Sequence, residues 1–171
     1  MTIRKSVTVC CPPEVAFRVF TREIGRWWPL HRGYSHGFER KEAIFLDDHV
    51  GGRFYERFTD GTELEIGRVS RVEPPHLILF TWQSPGWEAA TEVEVRFIAE
   101  AAGTRVDLEH RGFEAPAMQP RGIEFDRGWN AVFDHYVEAA NRQLRRDEDE
   151  ALPFPVAEPA EGHLRAEGTR A

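Results

Sequence analysis

The chain has 171 residues, 41% of them hydrophobic and 30% charged, with a formal net charge of −7. That balance belongs to a globular domain large enough to bury its own core, and it excludes a disordered or fibrous chain. No apolar run approaches the roughly 18 residues that a bilayer span needs. The acid excess also argues against tracking a phosphate backbone, so neither membrane insertion nor nucleic-acid binding is expected.

The first residues, Met1-Thr2-Ile3-Arg4-Lys5-Ser6, lack the apolar stretch of a signal peptide, which predicts a cytoplasmic protein. Residues 2–10 roughly alternate and read as a strand. Cys10 and Cys11 are adjacent, so a disulfide between them would be strained, and two reduced thiols are expected. Pro12-Pro13-Glu14 then opens a helix: proline suits a first turn and Glu14 complements the positive helix end. Val15, Ala16, Val19 and Phe20 give that helix an apolar face. A second helical piece, around Thr21 to Trp28, stops at Pro29, and the loop from Leu30 to Gly37 carries His31, Tyr34 and His36.

Six further strands are predicted. Phe38–Leu46 is followed by the Gly51-Gly52 turn and Arg53–Thr59, where Phe54, Glu56 and Phe58 alternate with Arg53, Tyr55 and Arg57. Asp60-Gly61 is a strong hairpin signal leading into Thr62–Val72, which Pro74-Pro75 ends. His76–Gln83 is the most apolar strand and is broken by Ser84-Pro85-Gly86; Glu92–Ala99 and Thr104–Arg111 complete the set. Short turns imply antiparallel neighbours. From Gly122 to Arg146, the residues Trp129, Val132, Phe133, Tyr136, Val137, Ala140 and Leu144 recur at helical spacing and must bury one stripe. Residues 147–171 are acidic and carry three of the prolines, so they are expected to be a disordered tail after a single domain spanning residues 1–146.

This order predicts an α+β helix-grip fold. A curved antiparallel sheet of seven strands wraps a long C-terminal helix, and two short helices follow the first strand. A long helix laid in a concave sheet leaves a gap between layers where a small-molecule cavity can form.

Particular stretches narrow the reading. They are Pro12-Pro13-Glu14-Val15-Ala16-Phe17, Trp27-Trp28-Pro29, Val50-Gly51-Gly52-Arg53-Phe54, Asp60-Gly61-Thr62, Gly67-Arg68-Val69, Val72-Glu73-Pro74-Pro75, Leu79-Phe80-Thr81-Trp82, Leu108-Glu109-His110-Arg111-Gly112-Phe113 and Gly128-Trp129. In this order the chain, to about residue 145, resembles the Hsp90-ATPase-activator-homologue-like family of the START/Bet v 1-like superfamily. The resemblance implies a lipophilic-ligand cavity and often a bacterial single-domain protein. It also brings to mind polyketide cyclases and aromatases among more distant relatives, and a chaperone-regulating namesake whose separate N-terminal region is missing here. It supplies no catalytic motif.

The residues themselves offer candidates. Glu56 shares a strand face with Phe54 and Phe58; facing inward, it would be a carboxylate among aromatics with a raised pKa, suited to general acid work or ligand anchoring. His110, near the end of the last strand, is the other catalytic candidate, as a donor or proton carrier at a cavity mouth. Loop residues His31 and Tyr34, and the aromatic set Trp28, Trp82, Trp129, Phe133 and Tyr136 with Val132, complete the expected ligand-binding residues. His31 and His36 lack zinc-site spacing, and no metal or cofactor is expected. No G-x-S-x-G, P-loop or G-x-G-x-x-G occurs. The favoured function is binding of a small apolar or aromatic molecule. The alternatives are a cyclase, dehydratase or hydrolase acting in the same cavity, and a protein-interaction module such as a chaperone regulator. Homodimer formation stays open.

Overall fold

The computed structural model describes residues 1–151. Strand β1 (Ile3–Val9) leads into helix α1 (Pro13–Phe20) and the single-turn α2 (Ile24–Trp27). Strands β2 (Lys41–Leu46), β3 (Arg53–Phe58), β4 (Glu63–Glu73), β5 (Leu77–Trp82), β6 (Thr91–Glu100) and β7 (Gly103–Arg111) follow, and α3 (Gln119–Ala151) closes the described chain. All strands pair antiparallel, in the order β1-β7-β6-β5-β4-β3-β2. The path from β1 through α1 and α2 therefore carries the chain to the far edge of the sheet, from which it returns strand by strand. This is the predicted helix-grip fold.

The concave face takes the apolar half of each alternating strand: Ile3 and Val9, Val93, Val95 and Phe97, Val106 and Leu108 are all essentially buried. The opposite face is charged and solvated, with Arg111 bridging Glu92, Glu94 and Glu109. Such exposed pairs contribute little individually. Helix α3 lies across the concave face and buries Trp129, Val132, Phe133, Tyr136 and Ala140 at the predicted spacing. Helix α1 fills one end of the space between α3 and the sheet. Phe20 packs edge-on against Tyr136 (5.3 Å) and Phe97 (5.8 Å), and Tyr136 Oη donates to Ala16 O at 2.8 Å.

At the other end two features shape the layer. A β-bulge leaves Ile66 unpaired, because Phe54 faces Gly67 while Tyr55 already faces Glu65. The bulge bends β4 and turns Ile66, 2% exposed, inward. It needs glycine beside it, since a Cβ on Gly67 would lie 1.7 Å from Thr81 O.

Several boundaries differ from the sequence expectation, among them the start of α3 at Gln119 rather than Gly122 and the shortening of α2 to Ile24–Trp27. Phe38–Arg40 forms a 3-10 turn rather than the start of a strand, because Phe38 adopts φ 49 and the ladder with β3 begins only at Lys41 opposite Phe58. Helix α3 continues past Arg146 to Ala151: Gln143 donates to Asp147 at 2.7 Å, and Arg18 of α1 lies 3.6 Å from the same carboxylate. Residues 152–171, the rest of the expected tail, lie outside the described residues. Cys10 and Cys11 are both free thiols, and burial pushes the Cys11 thiol up to about 11. No helix among the described residues is long and apolar enough to cross a membrane.

Candidate functional site

Where α1 does not reach, a cavity of about 420 Å³ remains between α3 and the strands β2 to β5. Its walls are mainly aromatic. Trp28, at the end of α2, lies 6.0 Å from each of Phe54, Trp82 and Trp129, and Phe54 and Trp82 are 4.9 Å apart. Phe125 of α3 packs on Trp82 at 5.3 Å and on Trp87 at 5.0 Å. Ile44, Ile66 and Val132 add aliphatic surface. The indole of Trp28 donates to Tyr34 O at 2.9 Å, which ties the following loop to the wall. The exposed Arg121 and Glu124 on α3 and the exposed Phe38 lie at its rim.

One wall is polar. Glu56 points inward and is 1% exposed. Its Oε2 accepts from Ser35 Oγ at 2.6 Å, while Oε1 accepts from the His36 backbone N–H and from His36 Nδ1, both at 2.9 Å. Burial alone would raise this carboxyl, but the bonds from the His36 ring, Ser35 and the His36 amide outweigh it and hold the pKa below the ordinary carboxylate range. That corrects the expectation of a raised pKa. An ionised carboxylate only accepts, so the imidazole carries its proton on Nδ1. Nε2 then faces Ser84 Oγ at 3.1 Å, and Ser84 Oγ also accepts from Trp82 Nε1–H at 2.9 Å. A carboxylate, an imidazole and a hydroxyl thus stand in line along the cavity wall.

His110 sits elsewhere. It is fully buried behind Trp129, whose Nε1–H donates to Nδ1 at 3.1 Å. Its Nε2–H faces Thr91 Oγ at 2.7 Å, and Thr91 in turn donates to Trp82 O at 2.9 Å. Both ring nitrogens are spent within the core, and burial pushes the pKa down to about 3, so the ring stays neutral.

Of the residues proposed from sequence, Trp28, Tyr34, Phe54, Glu56, Trp82, Trp129 and Val132 line the cavity. His110, Phe133 and Tyr136 are buried in the core outside that lining, Phe58 is buried under Gly37, and His31 is exposed. The sequence reading did not select Ser35, His36 or Ser84 as site residues. His36 lies 20 residues from Glu56, and Ser84 stood only as a strand breaker, so no local pattern joined them. Among the described residues, no group of three or more His, Cys, Asp or Glu is arranged to hold a metal ion.

Residues 10–140 match the family of activator of Hsp90 ATPase homolog 1-like proteins, and the chain belongs to that family. Solved structures with the same fold include a Mesorhizobium loti protein, 22% identical over 83% of this chain and 98% of its own, with a TM-score of 0.64. A Nitrosomonas europaea protein is 15% identical over 84% of this chain and 96% of its own, TM-score 0.63. A Rhodobacter sphaeroides protein is 16% identical over 85% of this chain and 92% of its own, TM-score 0.61. No curated protein sequence matches the chain.

Proposed function

We propose that this family member binds one small, flat, largely aromatic molecule with a single polar end in the cavity between the sheet and α3. The observation that carries the reading is the aromatic lining of a 420 Å³ space in which Ser35, His36, Glu56 and Ser84 form one hydrogen-bonded polar wall. That volume lies within the usual range of small-molecule pockets, roughly 300–1,000 Å³. Apolar contact with Trp28, Phe54, Trp82 and Trp129 would supply most of the affinity. The Ser35–His36–Glu56–Ser84 wall would fix the orientation.

The test is a titration with a hydrophobic fluorescent probe. Binding near one equivalent should quench or shift tryptophan emission, because three of the lining residues are Trp28, Trp82 and Trp129. It should persist at high salt, since burial of apolar area drives it. Val132→Trp places an indole in the space from the α3 side and should weaken binding at least tenfold. A well-folded Val132→Trp protein that binds as tightly as the parent would put the probe on the outer surface and remove the reading.

A further inference from the structure

Glu56, His36 and Ser84 do more than make a wall polar. The ionised carboxylate fixes the Nδ1–H tautomer of His36 and leaves the Nε2 lone pair aimed at the cavity side, where Ser84 Oγ occupies it at 3.1 Å. Glu56 is buried, whereas about a quarter of the His36 side chain is accessible. An imidazole oriented by a carboxylate, with its second nitrogen held only by a serine hydroxyl at the wall of an aromatic cavity, is what general-base chemistry requires. We propose that His36 is a general base for the molecule bound in this cavity, removing a proton that a neighbouring carbonyl or heteroatom makes acidic. The inference rests on the cavity being the ligand site. Glu56 is a positioning residue in it.

The step balances within the site. His36 Nε2 displaces its bond from Ser84 and takes the proton from a ligand C–H. The C–H electron pair stays on the ligand as an enolate, the imidazolium is held against the Glu56 carboxylate, and the freed Ser84 O–H turns to donate to the enolate oxygen. Return of the proton from Nε2 to a different ligand atom completes an isomerisation that consumes no co-reactant. The substrate class is therefore a flat aromatic or conjugated carbonyl compound. The groups that face His36 are Glu56 from β3 and Ser84 after β5; Tyr34 on its own loop and Arg121 and Glu124 on α3 are the other titratable groups on the cavity.

A nitrobenzisoxazole tests this without knowing the natural ligand. It is flat, aromatic and small, and one base suffices: removal of its ring C–H forms a nitrile as the N–O bond breaks, releasing a coloured phenolate. The parent should accelerate this ring opening about 100-fold over His36→Gln, the usual worth of a placed general base. The glutamine keeps an N–H for Glu56 and so keeps the loop tied. The parent rate should rise with pH as one group deprotonates, and that dependence should vanish in His36→Gln. Added imidazole should restore at least tenfold to His36→Ala. Ser84→Ala removes the donor to the developing oxyanion and should slow the reaction several-fold while leaving the rise with pH in place; a Ser84→Ala rate that no longer depends on pH would overturn His36 as the group touching the ligand. Quenching of tryptophan emission by the same compound separates the two readings. Saturable quenching with equal rates in parent and His36→Gln overturns the base and leaves the cavity standing, whereas no saturable quenching overturns both.

Discussion

His110 offers a quantitative test of how the core is built. Its imidazole is fully buried, accepts from Trp129 and donates to Thr91, and its pKa falls from 6.5 to about 3 because burial disfavours the charged ring. In the unfolded chain the same ring takes up a proton near 6.5. The folded state binds none until far lower pH, so protonation favours unfolding as pH falls. The contribution of neutral His110 is thus fully present above about 6.5, is lost through the interval down to about 3, and is constant below it. At about 1.4 kcal/mol per pH unit the whole interval corresponds to roughly 5 kcal/mol, of which 2–3 kcal/mol falls between pH 6.5 and 4.5. To isolate this residue, the comparison is with His110→Gln, whose amide can accept from Trp129 and donate to Thr91 without titrating. Urea unfolding across that range should give the parent a slope steeper by about 1.4 kcal/mol per pH unit. The variant should begin about 1–2 kcal/mol less stable near neutrality and overtake the parent before pH 4.5. Parallel lines would refute the reasoning, because they would mean that His110 is solvated or charged in the folded protein.

Other substitutions probe the cavity wall and the sheet. Glu56→Gln leaves one of the donors now held by the carboxylate opposed by an amide N–H; near-neutral urea unfolding should show a loss of about 2–3 kcal/mol, and a loss below about 0.5 kcal/mol would mean the loop does not depend on that anion. Trp129→Ala should cost about 3 kcal/mol, the low end for a buried tryptophan, because part of its surface already faces open volume; a cost under 1 kcal/mol by the same method would mean that the α3 stripe is misread. Gly67→Ala should lower the thermal midpoint by several degrees or abolish soluble expression, since its methyl would fall on Thr81 O. An unchanged midpoint would show that β4 and β5 separate freely there.

Periodicity made most of this fold legible. Alternation in β3 and β6 and the helical recurrence from Trp129 to Ala140 predicted which residues share a face but not which strand face turns inward; the structure buries Phe54, Glu56 and Phe58 together, with Tyr55 buried on the opposite face as well. What alternation cannot report is position along a face. Val132 and Tyr136 belong to one helical stripe, yet Val132 borders the cavity while Tyr136 is packed under Phe20 at 5.3 Å. Glu56 and Phe58 belong to one strand face, yet Phe58 is covered by the loop, close enough that a Cβ on Gly37 would meet its ring at 2.6 Å. The aromatic walls were accessible to sequence reasoning because apolar residues at regular spacing are a local signal. The Glu56–His36–Ser84 line was not. It joins a strand, a loop and a strand end whose proximity depends on sheet register and on the path of the loop. The sign of the Glu56 shift was hidden for the same reason, since three donors brought by that loop reverse what burial alone would do.

The loop and the carboxylate therefore act as one device. An unpaired ionised glutamate in an aromatic cavity would be costly enough to take up a proton. Ser35 and His36 prevent this by donating to it, and in doing so they fix the backbone from Ser35 to Gly37, where Gly37 N also donates back to Ser35 Oγ at 3.0 Å. The next residue, Phe38, is held at φ 49 and is 81% exposed at the cavity rim. A phenylalanine in the left-handed region costs on the order of 1–3 kcal/mol and persists only where its surroundings enforce it. The enforcing contacts lie on either side: the Glu56 grip before it, and the Lys41 ladder position opposite Phe58 after it. Charge on Glu56, the path of residues 35–38 and the position of Phe38 at the rim are accordingly linked. Neutralising the carboxylate weakens the three bonds that fix the loop from Ser35 to Gly37.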